Sequence, residues 1–214
     1  MSSNNLLEKV KQLREITGVG FKDCKNAIDE NNGDIQKSVD FLRKKGIAKA
    51  NKRMERVAAE GLICISEEGN KFSMLEINSE TDFVAKNNEF IDFGIELSKI
   101  VLSKSGSMED SLNCEMKNKK TVNNSLIDLI AKIGEKITLR RVAYLGNEKI
   151  YNFSYVHSSI KTNVGKLGVL LSIESNKPKS EIRSFGKQLA MHIAASAPLS
   201  LDKTDLDNNI LKKE

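Results

Sequence analysis

The side chains best suited to acid–base, nucleophilic or metal chemistry are two histidines, His157 and His192, and three cysteines, Cys24, Cys64 and Cys114. Nucleophilic catalysis needs a base beside the nucleophile, and neither histidine falls near a glycine-framed nucleophile or in a metal-ligand spacing. The cysteines are far apart and form no C-x-x-C pair, so they indicate neither a disulfide framework nor a zinc site. Free thiols of this kind fit a reducing compartment. Gly18-x-Gly20 lacks the preceding strand and the G-x-x-G continuation of a phosphate-binding loop. Cys24 falls on the apolar face of a short helical pattern, where a thiol packs as a small hydrophobe. These residues point away from an enzyme and call for no metal and no cofactor.

One segment stands apart: Asn78-Ser79-Glu80-Thr81-Asp82-Phe83-Val84-Ala85-Lys86. It lies between a strand pattern and a strong helix pattern, and it sets a carboxylate beside a large aromatic in a turn. The residue types alone leave two readings open. Asp82 caps backbone amides while Phe83 packs into the core, or the pair is offered to another molecule.

The elements that must position this segment follow from periodicity. Leu6, Val10 and Leu13 share one helical face, and Thr17-Gly18-Val19-Gly20 breaks the run. A second helix covers Phe21 to Glu30 with Cys24, Ala27 and Ile28 inward, and Asn32-Gly33 ends it. Asp34 caps a third helix carrying Ile35, Val39 and Leu42. Three helices this short bury little surface, so the module is either marginal alone or specialised for binding. Lys44 to Ala59 holds six lysines and arginines among alanines and reads as a basic, solvated connector rather than a nucleic-acid-binding stretch.

From Glu60 the period changes to that of strands. Leu62–Ile65 and Phe72–Ile77 flank a Glu67-Glu68-Gly69-Asn70 turn as a hairpin. A helix follows, capped by Asn88 and striped by Phe90, Phe93, Leu97, Ile100 and Val101. Residues 104–124 are polar and read as a loop or loosely held helix, and Leu126 to Ile133 as a helix stopped by Gly134. Ile137–Leu145 and Ile150–Val156 read as a second hairpin across Gly146-Asn147, with Lys166–Ile173 as a further strand. Ser180 to Ser196 reads as a helix with Ile182, Phe185, Leu189 and Ile193 inward, closed by Pro198.

The 214 residues, 39% hydrophobic and 29% charged, are enough for one or two compact domains. Aromatics make up 5% and tryptophan is absent, so aliphatic side chains must supply the core. The net charge of +5 is spread along the chain with acidic residues interleaved, which describes a solvated surface rather than a nucleic-acid footprint. No apolar run approaches the roughly 18 residues of a membrane span, and the first residues resemble no signal or transit peptide. The expected location is the cytoplasm.

Several motifs together resemble the elongation factor Ts family. Glu76-x-Asn78-x-x-Thr81-Asp82-Phe83-Val84-Ala85-Lys86 is similar to its signature, as is the run from Leu13-Arg14-Glu15 through Thr17-Gly18-Val19-Gly20-Phe21-Lys22-Asp23-Cys24-Lys25. Ala131–Glu135, Tyr155-x-His157 followed by Gly168-Val169-Leu170, and Ala190–Ala195 match in the same order. The resemblance runs from residue 6 to about 198.

It implies an α+β protein: a ubiquitin-associated-like three-helix domain (1–45), a basic linker (46–59), and a core of two related antiparallel-sheet-plus-helix subdomains (60–136 and 137–200). Residues 201–214 would start a helical segment that longer relatives continue as a helical hairpin and C-terminal module, so the chain is expected to be a fragment. The implied function is guanine-nucleotide exchange on elongation factor Tu, bound with GDP and in its nucleotide-free form, without covalent chemistry. No direct nucleic-acid or membrane contact is implied, and no oligomeric state is assigned. A basic RNA-binding protein and a passive chaperone of the same partner are the alternatives. By the same resemblance, Thr81, Asp82, Phe83 and Val84 would disturb the partner's magnesium and nucleotide site. Arg14, Phe21 and Lys22 would touch its nucleotide domain, and Ile133, Gly134 and His157 would be core contacts. Phe21-Lys22 stands where many relatives carry two methionines, a departure at one apolar contact.

Overall fold

The computed structural model describes residues 3–53, 55–147 and 149–205. The chain opens with α1 (Ser3–Thr17), α2 (Phe21–Glu30) and α3 (Ile35–Arg53). They enclose Val10, Leu13, Cys24, Ala27, Ile28 and Leu42, with Leu6, Ile35 and Val39 packed around them. Asp34 Oδ1 accepts the Lys37 amide at 3.0 Å, as a residue capping the free donors of a helix start should.

A four-stranded antiparallel sheet follows, built from β1 (Glu60–Glu68) and β2 (Lys71–Ser79) and later strands. The hairpin register pairs Cys64 with Leu75 and Glu60 with Ser79. After the short α4 (Asp82–Ala85), α5 (Asn88–Ser103) lies across β1 and β2. Its Phe90, Leu97 and Val101 join Leu62, Cys64, Leu75 and Ile77 in the main core. The cap of α5 is Asn87 rather than Asn88, its side chain accepting the Glu89 and Phe90 amides at 2.8 and 3.4 Å. The polar stretch 104–124 is better ordered than its composition suggests. It holds α6 (Met108–Asn113), and α7 (Val122–Ile133) starts four residues earlier than its apolar stripe, capped by Thr121.

β3 (Ile137–Leu145), β4 (Tyr151–His157), β5 (Val164–Gly165) and β6 (Leu167–Ile173) complete the sheets, and α8 (Lys179–Ser196) follows. The larger sheet has the order β3-β2-β1-β5, and β4 and β6 form a separate pair. The expected hairpin across Gly146-Asn147 is therefore not formed: β3 pairs with β2, and β4 with β6. The physical reason lies at Asn70 in the β1–β2 turn. Its Nδ2 donates to the carbonyls of Asn147 (2.9 Å) and Ile150 (2.6 Å), and its Oδ1 accepts the Asn152 amide at 3.1 Å. The Ile150 carbonyl and the Asn152 amide, which lie along the strand a hairpin would pair, are thus held by a side chain of the first hairpin. The expected boundary at 137 accordingly moves, since β3 belongs to the first sheet.

Two sheet-plus-helix layers still occur, β1–β2 under α5 and β4–β6 under α8. On α8 the expected inward stripe is partly wrong. Phe185 is 57% exposed, whereas Gly186 and Ala190 are buried. A Cβ at Gly186 would fall within 2.6–2.7 Å of three ring carbons of Phe153, so the buried ring occupies the space a larger inward residue would need.

The expected linker 46–59 also differs. α3 runs through to Arg53, and two of the small residues that suggested a connector, Gly46 and Ala50, are on its packing face. The Cβ position of Gly46 lies 3.1 Å from Ala131 Cβ on α7, and Ala50, one turn on, belongs to the main core. Arg53 donates to the Ile130 carbonyl at 2.9 Å. Beyond the core, Lys203–Asp205 makes a single 3-10 turn; the rest of the expected helical segment, 206–214, lies outside the described residues.

Candidate functional site

The Asp82–Phe83 segment leaves β2 at Ser79, which pairs with Ile137 at the start of β3. Beyond this pair the backbone ladder stops and side chains continue it. Glu135 receives Thr81 twice, the amide at 2.9 Å on Oε2 and the hydroxyl at 2.7 Å on Oε1. Glu80 Oε1 in turn accepts the Lys136 amide at 2.6 Å and the Arg56 guanidinium at 3.3 Å. Residues 80–81 and 135–136 are therefore tied in both directions. Gly134 makes the return possible: it caps α7 with φ 91°, a conformation glycine adopts without a Cβ penalty.

α4 then divides its residues by face. Val84 and Ala85 are buried in the main core, which turns Asp82 and Phe83 outward. Phe83 is 79% exposed. Asp82 does not cap the helix start but pairs with Lys86, Nζ to Oδ2 at 2.7 Å. That hydrogen bond and charge hold the Asp82 carboxyl below the usual range, and the same bond raises Lys86. Lys166 adds to the first effect and Glu60 to the second, and these two pair with each other at 2.8 Å. The aromatic thus sits beside a small patch of alternating charge. Val84, expected on the contact surface, is a correction: its side chain is an internal anchor.

The other expected residues distribute unevenly. Arg14 is exposed on the last turn of α1, and its carbonyl accepts the Gly18 amide at 2.8 Å. Phe21, at the start of α2, is 45% exposed, and Lys22 is exposed beside it. The Gly18 turn abuts α7, where an added Cβ would lie 2.7 Å from Lys132 Cε. Lys132 pairs with Glu89 at 2.6 Å. Ile133 is half-buried against the main core, next to Gly134. Contacts therefore run from the α1–α2 turn through the end of α7 and Glu135 to Thr81 and Phe83. His157 stands apart on the β4–β6 sheet, exposed, with Nδ1 3.0 Å from the Tyr155 hydroxyl.

Glu80, Lys132 and Glu135 lie within motifs that the sequence shows, but no role for them could be read there. An acidic residue after a helix stop carries no local pattern, and its partner lies 54 residues away. Among the described residues no group of three His, Cys, Asp or Glu side chains could hold a metal ion, and no helix is long and apolar enough to cross a membrane. Burial pushes the Cys64 thiol up to about 12, and Cys24, also raised chiefly by burial, donates to the Val19 carbonyl at 3.3 Å. Both are packed thiols.

A profile of the family described as "Elongation factor TS" matches residues 80–214, more than half of the chain. Curated relatives are similar over nearly its whole length. Elongation factor Ts of Methylorubrum populi is 46% identical over 206 residues, which is 96% of this chain and 67% of that protein. Elongation factor Ts of Methylobacterium nodulans shows the same identity and coverage. Elongation factor Ts of Rhodopseudomonas palustris is 44% identical over 205 residues, 96% of this chain and 66% of that protein. The chain thus spans about two thirds of the length of these relatives.

Proposed function

The chain belongs to the elongation factor Ts family, and from that premise we propose that it acts in the cytoplasm as a guanine-nucleotide exchange factor. It binds elongation factor Tu carrying GDP, disturbs the magnesium and nucleotide site, and promotes release during translation elongation. The observation that carries this reading is a phenylalanine ring left 79% exposed on a turn that two hydrogen bonds clamp at Thr81. Exposing such a ring is unfavourable unless a partner covers it.

Exchange requires no general acid or base, because no covalent bond changes. A nucleotide held at nanomolar affinity represents roughly 12 kcal/mol, so spontaneous release is slow. The factor accelerates it by binding a partner conformation in which nucleotide and magnesium fit badly. Linkage then obliges nucleotide to weaken the factor by the same ratio, which is how incoming GTP dismisses it. In this reading Phe83 enters an apolar groove of the partner with Asp82 beside it. Arg14, Phe21 and Lys22 touch the nucleotide domain, and Ile133, Gly134 and His157 add contacts on the core. Burying the ring supplies about 1.5–3 kcal/mol, a tenfold to hundredfold effect, so the remaining contacts must contribute the rest.

The testing experiment is release of a fluorescent GDP analogue from elongation factor Tu with the wild-type chain and with Phe83→Ala. Slower stimulated release by the variant supports the role given to the ring. Binding without any stimulation by the wild-type chain would make it a passive chaperone.

A further inference from the structure

Resting on that reading, we propose that Glu135 is a positioning residue for nucleotide release, fixing the turn that presents Phe83. α4 has four residues, too few to be stable as an isolated helix, since the first turn is the costly one to nucleate. Its orientation must come from outside. On the inner side Val84 and Ala85 anchor it in the core. At its start, Thr81 is in an extended conformation (φ −122°, ψ 159°) and its own side chain makes no capping bond. Ser79 Oγ donates to the Thr81 carbonyl at 3.0 Å, and Glu135 holds the other two polar groups, one carboxylate oxygen on the amide and one on the hydroxyl. Glu80 returns the arrangement by accepting the Lys136 amide, so the clamp closes from both strands.

Without the carboxylate, the Thr81 amide and hydroxyl turn to water and the turn samples further orientations. The ring then meets the partner correctly for only a fraction of the time, and effective affinity for the productive complex falls by that fraction. Glu135 would therefore act through Phe83, while touching neither nucleotide nor magnesium itself. This separates it from a residue that merely stabilises the fold, whose loss would lower the folded population and leave each folded molecule fully active.

A double-mutant cycle tests the proposal, with Glu135→Ala, Phe83→Ala and the combined variant assayed for stimulated GDP release at limiting factor, where the rate follows effective affinity, corrected for folded fraction by urea unfolding. Glu135→Ala removes two hydrogen bonds, each worth about 0.5–1.5 kcal/mol, and is expected to slow release by about fivefold to a hundredfold, and by no more than Phe83→Ala does. In the Phe83→Ala background it should cause no further loss. Glu135→Gln, which keeps one acceptor oxygen, should fall between Glu135→Ala and wild type, and it carries the test if the alanine variant does not fold. Wild-type release by the Glu135 variants, or a full additional loss on top of Phe83→Ala, overturns the positioning role while leaving the exchange reading intact. Wild-type release by Phe83→Ala itself overturns both.

Discussion

Replacing Asn70 with alanine should loosen the join between the two sheets. The side chain donates to the Asn147 and Ile150 carbonyls and accepts the Asn152 amide and the Lys179 ammonium. The Lys179 ammonium also lies 5.6 and 5.7 Å from the ring centres of Phe72 and Phe153, so the same point joins β2, β4 and α8. Water can replace the bond to Asn147, which is exposed, at little cost. The Asn152 amide belongs to a residue only 1% exposed and would lose its partner where water enters poorly. A net intramolecular hydrogen bond is worth about 0.5–1.5 kcal/mol, and an orphaned buried donor costs about 1–3 kcal/mol. Counting one such donor and one further bond, Asn70→Ala should lose about 1.5–4.5 kcal/mol. Against the 5–15 kcal/mol typical of native proteins, that would be evident in a urea titration as a lower midpoint. A loss below about 0.5 kcal/mol, the range of ordinary surface changes, would refute the view that Asn70 links the sheets.

Two other outcomes follow from the packing and charges. Gly186→Val should destabilise the chain by about 1–3 kcal/mol in thermal or urea unfolding, because overpacking against the Phe153 ring outweighs the gain in helix propensity; an unchanged midpoint would mean the ring can move aside. Burial tends to raise the Glu76 carboxyl, but hydrogen bonds from Arg141, Arg140 and Asn78 outweigh it and hold the group below its ordinary 4.5. A lowered folded value means the contribution is complete above 4.5 and is lost as pH falls through the folded value. The stability difference between wild type and Glu76→Gln should accordingly shrink as acid is added below pH 4.5, and a difference independent of pH would contradict the assignment.

Much of the architecture was legible because it is written in local periodicity. Val10 and Leu13, or Phe90, Leu97 and Val101, recur at helical spacing and are buried where that spacing puts them. The β1–β2 hairpin follows from two strand patterns around Gly69-Asn70. What failed was choice of partner between distant segments. Gly146-Asn147 looks like a hairpin turn, yet Asn70 takes the nearby carbonyls and β3 joins β2 with a bulge that sets Arg140 and Arg141 together on Glu76. Phe185 follows the helical stripe, but the space beneath α8 belongs to Phe153. Of the candidate site, Thr81, Asp82 and Phe83 were visible as a motif. The exposure of Phe83 was not, since it depends on Val84 and Ala85 turning inward. Glu135 stood in a recognisable motif, but its role was hidden, because that role exists only once the ends of β2 and β3 are side by side.

The most direct trial of the account is the rate of GDP release from elongation factor Tu at saturating Phe83→Ala, beside the same measurement with wild type. A well-folded variant that releases nucleotide about tenfold to a hundredfold more slowly is the predicted result. Equal rates would contradict the claim that this solvent-held ring pries the nucleotide loose.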